Sequence, residues 1–271
     1  MGEYLNRDDA PFGDEVWDTI DKTVVSVASN AMAGRKLLNV EGPYGLGMKS
    51  VSLRDELIEG DEDELSVWSS RSIPLAMISS SFKIDGRDLG HYTRDGVLFD
   101  MREVVSSTLE CARKEDELIF KGSEALGVKG LMNTPGALSS ELKPWRNIGD
   151  PAESIALAVE KLDKAGFQGP YSMALAPSLY NRLFRRYPGE EVLEIEHLSA
   201  LVSDGIFKSS VLSEGGVLVA SGAMYGSVVL GQDLLTAFEG PSGRSYVFVL
   251  SESVALRVNV PQAICALKPA G

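Results

Sequence analysis

Two cysteines and two histidines in 271 residues leave little material for metal or nucleophile chemistry. Cys111 and Cys265 lie far apart and in no ligand-like spacing, so a disulfide framework or zinc cluster is not expected, and both read as small buried hydrophobes. His91 lies in a polar stretch read as a loop, and His197 follows Glu194 and Glu196 on an expected helix. Neither belongs to an H-E-x-x-H pattern, and no G-x-S-x-G elbow offers a serine nucleophile. Gly42, Gly45 and Gly47 lack the G-x-G-x-x-G order and the Walker lysine, so they read as turn glycines rather than a phosphate cradle. Positive charge is scarce as well: 26 Lys and Arg face 39 Asp and Glu, a net −13 that repels phosphate backbones and argues against a nucleic-acid partner. The local group Arg182, Arg185 and Arg186 is the exception. No apolar run approaches the ~18 residues of a membrane span, so no membrane partner is expected. Met1–Asp9 has no apolar core, so no secretory signal is read there and the expected location is the cytoplasm.

What is present is an ordinary globular balance, large enough for a sizeable core. Trp17, Ile20, Val24, Val27, Ala28 and Ala31 share one face of a helix expected from Asp14 to Ala33, with Gly34 as its stop and Arg35 and Lys36 at the negative end of its dipole. Met1–Pro11 ahead of it is a polar arm that needs something to dock on. Candidate strands at Val51–Ile58 and Leu65–Met77 flank the acidic cluster Glu59–Glu64, which reads as an exposed hairpin tip. Such a two-stranded arm has almost no core of its own and needs another surface, for which a second subunit is a candidate.

The longest helix is expected to open at Asp100, capped in a box with Glu103, and to end at Gly122. Met101, Val104, Val105, Thr108, Ala112 and Ile119 would form its buried face, interrupted by the charged run Arg113–Glu117. A further helix opens at Asp150-Pro151 and ends near Gly166, followed by a strand over Tyr171–Ala176 and a helix from Pro177. The last third is strand-rich: Val217–Ala220, Tyr225–Leu230, Tyr246–Val258 and Ala263–Leu267. Helices and strands mix without βαβ alternation, which makes the fold class α+β.

Several segments in this order resemble encapsulin shell proteins: Gly34-Arg-Lys36, Val40-Glu-Gly-Pro-Tyr-Gly45, Glu115-Asp-Glu-Leu-Ile-Phe120 with Gly122, Gly127-Val-Lys-Gly-Leu131, Gly169-Pro-Tyr171 and Leu230-Gly-Gln-Asp-Leu234. The resemblance implies the HK97 phage capsid-like fold. Its peripheral domain would comprise 1–47, 81–132 and 225–271, its extended loop 48–80, and its axial domain 133–224. It implies a non-enzymatic subunit that assembles with itself into an icosahedral nanocompartment of 60 copies or a multiple. The enclosed partner would be a cargo enzyme bearing a C-terminal targeting peptide, a ferritin-like protein for iron storage or a peroxidase.

By matching positions, the resemblance assigns cargo-peptide binding to Val24, Val27, Ala28, Ala31, Arg35, Asn39 and Leu235. It assigns the five-fold pore to Arg185, Arg186, Tyr187, Pro188, Gly189, Glu190 and Glu191. Some relatives stack a flavin on an aromatic residue after the extended loop; Ile84-Asp-Gly-Arg-Asp88 has none, so no cofactor is expected. A phage-type major capsid protein is the alternative, disfavoured by the early first helix and the acidic balance. A hydrolase is the weaker rival, since no nucleophile–base pair is visible.

Overall fold

A computed structural model describes residues 3–60, 65–187, 189 and 191–270. Most of the expected acidic hairpin tip, residues 61–64, lies outside the described residues, as do Pro188 and Glu190.

Two five-stranded sheets organise the chain. The first contains β1 (Asn39–Glu41), β4 (Ala76–Asp85), β11 (Gly226–Leu230), β12 (Leu235–Ser242) and β13 (Ser245–Val258). The long β13 is its axis: Ser245–Val254 pair antiparallel with β4, Ser245–Ser251 with β12, and Val254–Val258 with β11. The second sheet runs in the order β7 (Leu138–Leu142), β14 (Ile264–Pro269), β10 (Gly216–Ala220), β8 (Tyr171–Leu175) and β9 (Ile206–Lys208). β14 lies inside the second sheet, parallel to β7 on one side and antiparallel to β10 on the other. Cys265 and Leu267 alternate onto the same face as Leu218 and Met173, so strand pleating places this C-terminal segment in the second core.

Two helices brace the first sheet, α1 (Asp14–Ala31) and the spine helix α4 (Arg102–Lys121). Val16, Trp17, Ile20, Val24 and Ala28 of α1 are buried at helical spacing, and Val27 and Ala31 are half-buried at the stripe's edge. Phe82, Phe248, Phe238, Phe12 and Trp17 form the aromatic centre of this core. The N-terminal arm docks on its own chain. Arg7 pairs with Asp21 at 2.7 Å, donates to the Thr236 carbonyl at 3.0 Å and lies 4.5 Å above the Trp17 ring.

The second sheet is covered by α5 (Asp150–Lys164), where Ile155, Ala158 and Leu162 face Leu198 of α7 (Glu194–Leu201) and Trp145. Its other face, with Val217, Val219, Ala174 and Ile264, is continuous with the first core. The expected strand at Tyr171 and helix at Pro177 are present, the latter as a short α6 (Pro177–Tyr180) that tightens into a 3₁₀ turn over Asn181–Phe184.

Four local expectations are corrected. Gly34 does not stop α1; the helix ends at Ala31, and Gly34 opens the short α2 (Gly34–Leu37). The cause is a distant carboxylate: the Ala33 and Gly34 N–H groups donate to Asp116 at 3.0 and 2.8 Å, which turns the chain. A Cβ on Gly34 would come 2.5 Å from the Ile119 Cδ1 and 3.0 Å from its Cγ2, so a side chain there would have to displace Ile119. The capping box at Asp100 does not form, since the spine starts at Arg102 with Met101 as cap. Asp100 accepts from the Arg102 N–H instead, and Glu103 accepts from the Lys83 N–H of β4, a tertiary partner that wins over the local one. The Leu65–Met77 strand is broken in two, with β3 (Val67–Pro74) in the arm and β4 beginning at Ala76 in the sheet. His91 is not in a loop: α3 (Gly86–Asp95) carries it, capped by Asp85, whose side chain accepts from the Arg87 N–H at 2.9 Å.

The spine's expected end is present. Gly122 terminates it with φ 75°, and the tight ribbon of β5 (Gly122–Ser123) and β6 (Val128–Lys129) returns against it. The arm is β3 paired antiparallel with β2 (Ser50–Glu59); most of its residues are exposed, with Val51 buried at its base and Leu53, Leu57 and Ile73 half-buried.

Candidate functional site

The charged run Arg113–Glu117, which interrupts the expected buried face of the spine, supplies two buried acids, Glu115 and Asp116. Glu115 has 0% side-chain exposure and faces Arg35, which is carried inward by α2. Arg35 grips Glu115 through Nε at 2.9 and 3.0 Å and through Nη2 at 2.6 Å. The same Nη2 donates to Glu252 of β13 at 2.7 Å, and Nη1 donates to Asp233 at 2.7 Å. One guanidinium thus ties four separate segments: α2, α4, β13 and the β11–β12 turn. Burial works against its charge, but the hydrogen bonds and charge of Glu115, with Asp233 and Glu252 adding, hold Arg35 above its ordinary value. The expected role of Arg35 at the dipole of α1 is replaced by this clamp.

Directly outside the clamp lies a groove of about 350 Å³ along α1, lined mainly by apolar side chains. Val24, Val25, Ala28, Ser29 and Met32 form one wall, and Leu234 with Asp233 forms the other. Arg35 and Lys36 close the end, with the Lys36 amine donating to the Asn30 carbonyl at 3.1 Å. Of the residues expected to bind cargo, Val24, Ala28 and Arg35 line this groove. Val27, Ala31, Asn39 and Leu235 do not; Val27, Ala31 and Leu235 are half-buried beside it, and Asn39 is exposed on β1.

The groove also contains residues that the stripe argument missed. Val25 is 62% exposed, lies off the buried stripe and has no partner in the first core. An exposed valine one step round the helix from a buried one was the available signal in the sequence. Leu234 packs with Ala28, Met32 and Ala112 in a small satellite cluster, so the groove's floor is already well packed.

Of the expected pore segment, Arg185, Arg186, Tyr187, Gly189 and Glu191 are described, and they lie ahead of α7. Arg186 bridges antiparallel to Leu193, and Tyr187 N–H donates to Val192 at 3.3 Å. Arg186, Gly189 and Glu191 are exposed, whereas Tyr187 is half-buried with its ring 4.5 Å from that of His197. Arg185 points inward. It pairs with the buried Glu194 at 2.7 Å and donates to the Asn147 carbonyl at 3.0 Å, which ties this segment to the approach of α5. Its charge is therefore engaged in holding the segment.

The Cys111 and Cys265 thiols are buried and unpaired, as expected. Burial, with Glu252 and Glu110 adding, pushes the Cys111 thiol up to about 12, so it has little thiolate character. Among the described residues no helix is long and apolar enough to cross a membrane.

The sequence profile of the family described as "Encapsulating protein for peroxidase" matches residues 2–255. The chain is 33% identical to the type 1 encapsulin shell protein EncA of Myxococcus xanthus, over all of this chain and 98% of that protein. It is 25% identical to a ferritin-like–encapsulin shell fusion protein of Pyrococcus furiosus, over 76% of this chain and 56% of that one. Its fold matches the crystal structure of a virus-like particle from Pyrococcus furiosus with a TM-score of 0.73 at 20% identity, covering 94% of this chain and all of that one. That architecture is the HK97-like fold that tailed-phage capsid proteins share, and it is α+β as the sequence implied. With the profile spanning nearly the whole chain and a third of its residues shared end to end with a shell protein, this chain belongs to the encapsulin shell proteins, the family of encapsulating proteins for peroxidase.

Proposed function

We propose that the chain is a non-enzymatic container subunit that closes with copies of itself into a cytoplasmic icosahedral shell around a cargo enzyme. The carrying observation is the arm. Ile58, Val67 and Trp68 of β2 and β3 are half-exposed or more, and Leu65 is 91% exposed, with none of them in a core cluster of their own chain. Fully burying an exposed apolar side chain stabilises a contact by about 1.5–3 kcal/mol, and a half-exposed one by about half of that. The two strands are also too few to stand alone in water. A heterologous arm-to-neighbour contact repeated around symmetry axes closes a ring or a shell. The copy number would be on the order of sixty or a multiple of it. Within that shell, residues 1–47, 81–132 and 225–260 would act as the peripheral part, and the second sheet with α5 and α7 as the axial part. The segment 185–191 would face the five-fold opening.

The test is negative-stain electron microscopy and size-exclusion chromatography of the chain expressed alone. Hollow particles of one size are expected. Trp68→Asp with Ile58→Asp should give monomers or small oligomers with unchanged circular dichroism, since both side chains lie outside the cores. A wild-type chain that stays monomeric would overturn the reading, and so would a double variant that assembles normally.

The groove along α1 is proposed to receive the C-terminal peptide of a cargo, either a ferritin-like enzyme acting in iron storage or a peroxidase. Two facts support this cargo class: the family's description as encapsulating proteins for peroxidase, and the relative in which the shell is fused to a ferritin-like domain. Val25→Asp places a charge on the exposed apolar wall without touching the core. It is expected to lower co-purified cargo about tenfold, the effect of ~1.4 kcal/mol, while particles still form. Cargo loading unchanged by this variant would remove the groove from the reading.

A further inference from the structure

The clamp beneath the groove has more acids than it can neutralise. Glu115 and Glu252 both accept from the same Arg35 nitrogen, both have 0% side-chain exposure, and Glu252 Oε1 has no hydrogen-bond partner among the described residues. The groups facing Glu252 are Arg35 from α2, Glu115 and the Cys111 thiol from α4, and Asp233 from the β11–β12 turn. On its strand neighbour β4 the paired residue is Ile78, flanked by Met77 and Ser79. Asp116 is turned away to the Ala33 and Gly34 N–H groups, and the Lys36 amine to the Asn30 carbonyl. Among the described residues Arg35 is therefore the one cation paired with these three carboxyl groups. Two buried carboxyl groups on one nitrogen cannot both hold charge at ordinary cost, as in any carboxyl dyad.

We propose that a proton held on Glu252, beside Glu115 on the same Arg35 nitrogen, keeps Asp233 and Leu234 drawn onto Arg35, and that its loss at alkaline pH releases this corner of the groove. Asp233 is the member free to leave. It is 48% exposed, while the side chains of the two glutamates have 0% exposure. Its Oδ1 accepts both from Arg35 and from the Leu234 N–H at 2.8 Å, so its departure carries the apolar wall with it. The titration behaviour agrees in direction. Burial, then the charge of and hydrogen bond with Glu115, push the Glu252 carboxyl up to about 10, against the pull of Arg35. A raised carboxyl pKa means that the folded chain holds a proton the unfolded chain has lost. This contribution to stability is complete below the ordinary value of 4.5 and declines as pH climbs toward about 10. The consequence for cargo rests on the groove being its docking site, but the switch itself is testable with no cargo present.

The experiment is pulsed hydrogen–deuterium exchange on the full chain and on Glu252→Gln, which keeps the shape and removes the titration. Comparing the two proteins at each pH cancels the chemical exchange rate. Near pH 7 the segment 232–236 should exchange equally in both. Near pH 10 it should exchange about tenfold faster in the wild type, a local opening confined to that segment. Equal rates at both pH values would overturn the proposal. Infrared spectroscopy of the wild type provides a readout that does not depend on the variant folding. A carboxylic-acid C=O band should be present near pH 8 and vanish above pH 10. Asp116, pushed up to about 6 by burial against its two backbone bonds, is already ionised near pH 8 and adds nothing there. Absence of the band near pH 8 would equally end the proposal.

Discussion

Arg35→Ala is expected to destabilise the chain by about 3–5 kcal/mol, the cost of removing one partner from a buried ion cluster. The magnitude follows from what stays behind: Glu115 and Glu252, both without solvent exposure, would lose their shared donor. Out of water and without a cation, each carboxyl would take up a proton rather than remain charged. The defect should therefore be smaller near pH 5 than near pH 8, because the variant's raised carboxyl pKa values contribute stability that is lost as pH rises. Urea unfolding followed by tryptophan fluorescence reads this directly, with Trp17 in the first core and Trp145 in the second. Arg35→Lys should recover only part of the loss. A point charge cannot reproduce a fork that holds Glu115, Glu252 and Asp233 at once. Combining Arg35→Met with Glu115→Gln and Glu252→Gln should restore most of it, since the buried charges leave together. An Arg35→Ala chain as stable as the wild type would refute the clamp.

Phe248→Ala should cost a comparable ~3–5 kcal/mol for a different reason, the cavity left in a packed core. Phe248 is fully buried. It stacks on Phe82 at 5.1 Å and 7° and meets Trp17 at 5.6 Å and Phe12 at 5.8 Å. Because Phe12 belongs to the segment leading into α1, the variant should also loosen residues 3–13. That effect is visible as faster exchange there than in the second sheet. Phe248→Leu should cost roughly 1–2 kcal/mol, as it keeps most of the volume. No pH dependence is expected, which separates this defect from that of Arg35→Ala.

These two residues mark what pattern reading reached and what it did not. Phe248 belongs to the apolar run Tyr246–Leu250, which opens the expected strand Tyr246–Val258, and β13 spans almost those residues. The strands at Val217–Ala220 and Tyr225–Leu230 were legible for the same reason, since every residue of β10 and β11 is buried. Neighbouring β12 was not. Its alternation is broken by a bulge between Phe238 and Gly240 and by Pro241, so it lacks a steady period of two. Helix α3 was missed because Gly86–Asp95 is polar with one buried residue, Leu89, although the Asp85 cap gave its start. In the site, the apolar side chains Val24 and Ala28 were legible from their spacing on α1, while Leu234 and Met32 entered only through contact with them.

By itself, the sequence determined the separate periodicities of most strands and helices, the long spine, a two-stranded arm with little core of its own, and the ordered motifs of an encapsulin shell protein. These are local or additive properties, set by side-chain periodicity, by glycine and proline, and by the net apolar content of each segment. Only the tertiary structure decided how buried charge is paired. Arg35 meets Glu115 across 80 positions and Glu252 across 217; helical spacing puts Glu115 and Asp116 on the buried face of the spine, but nothing in the run Arg113–Glu117 names the cation that meets them. Pairing of ions at such separations depends on the direction of each side chain after the sheets and helices have packed, which is why the groove's floor, and the proton proposed to hold it, emerge only in three dimensions.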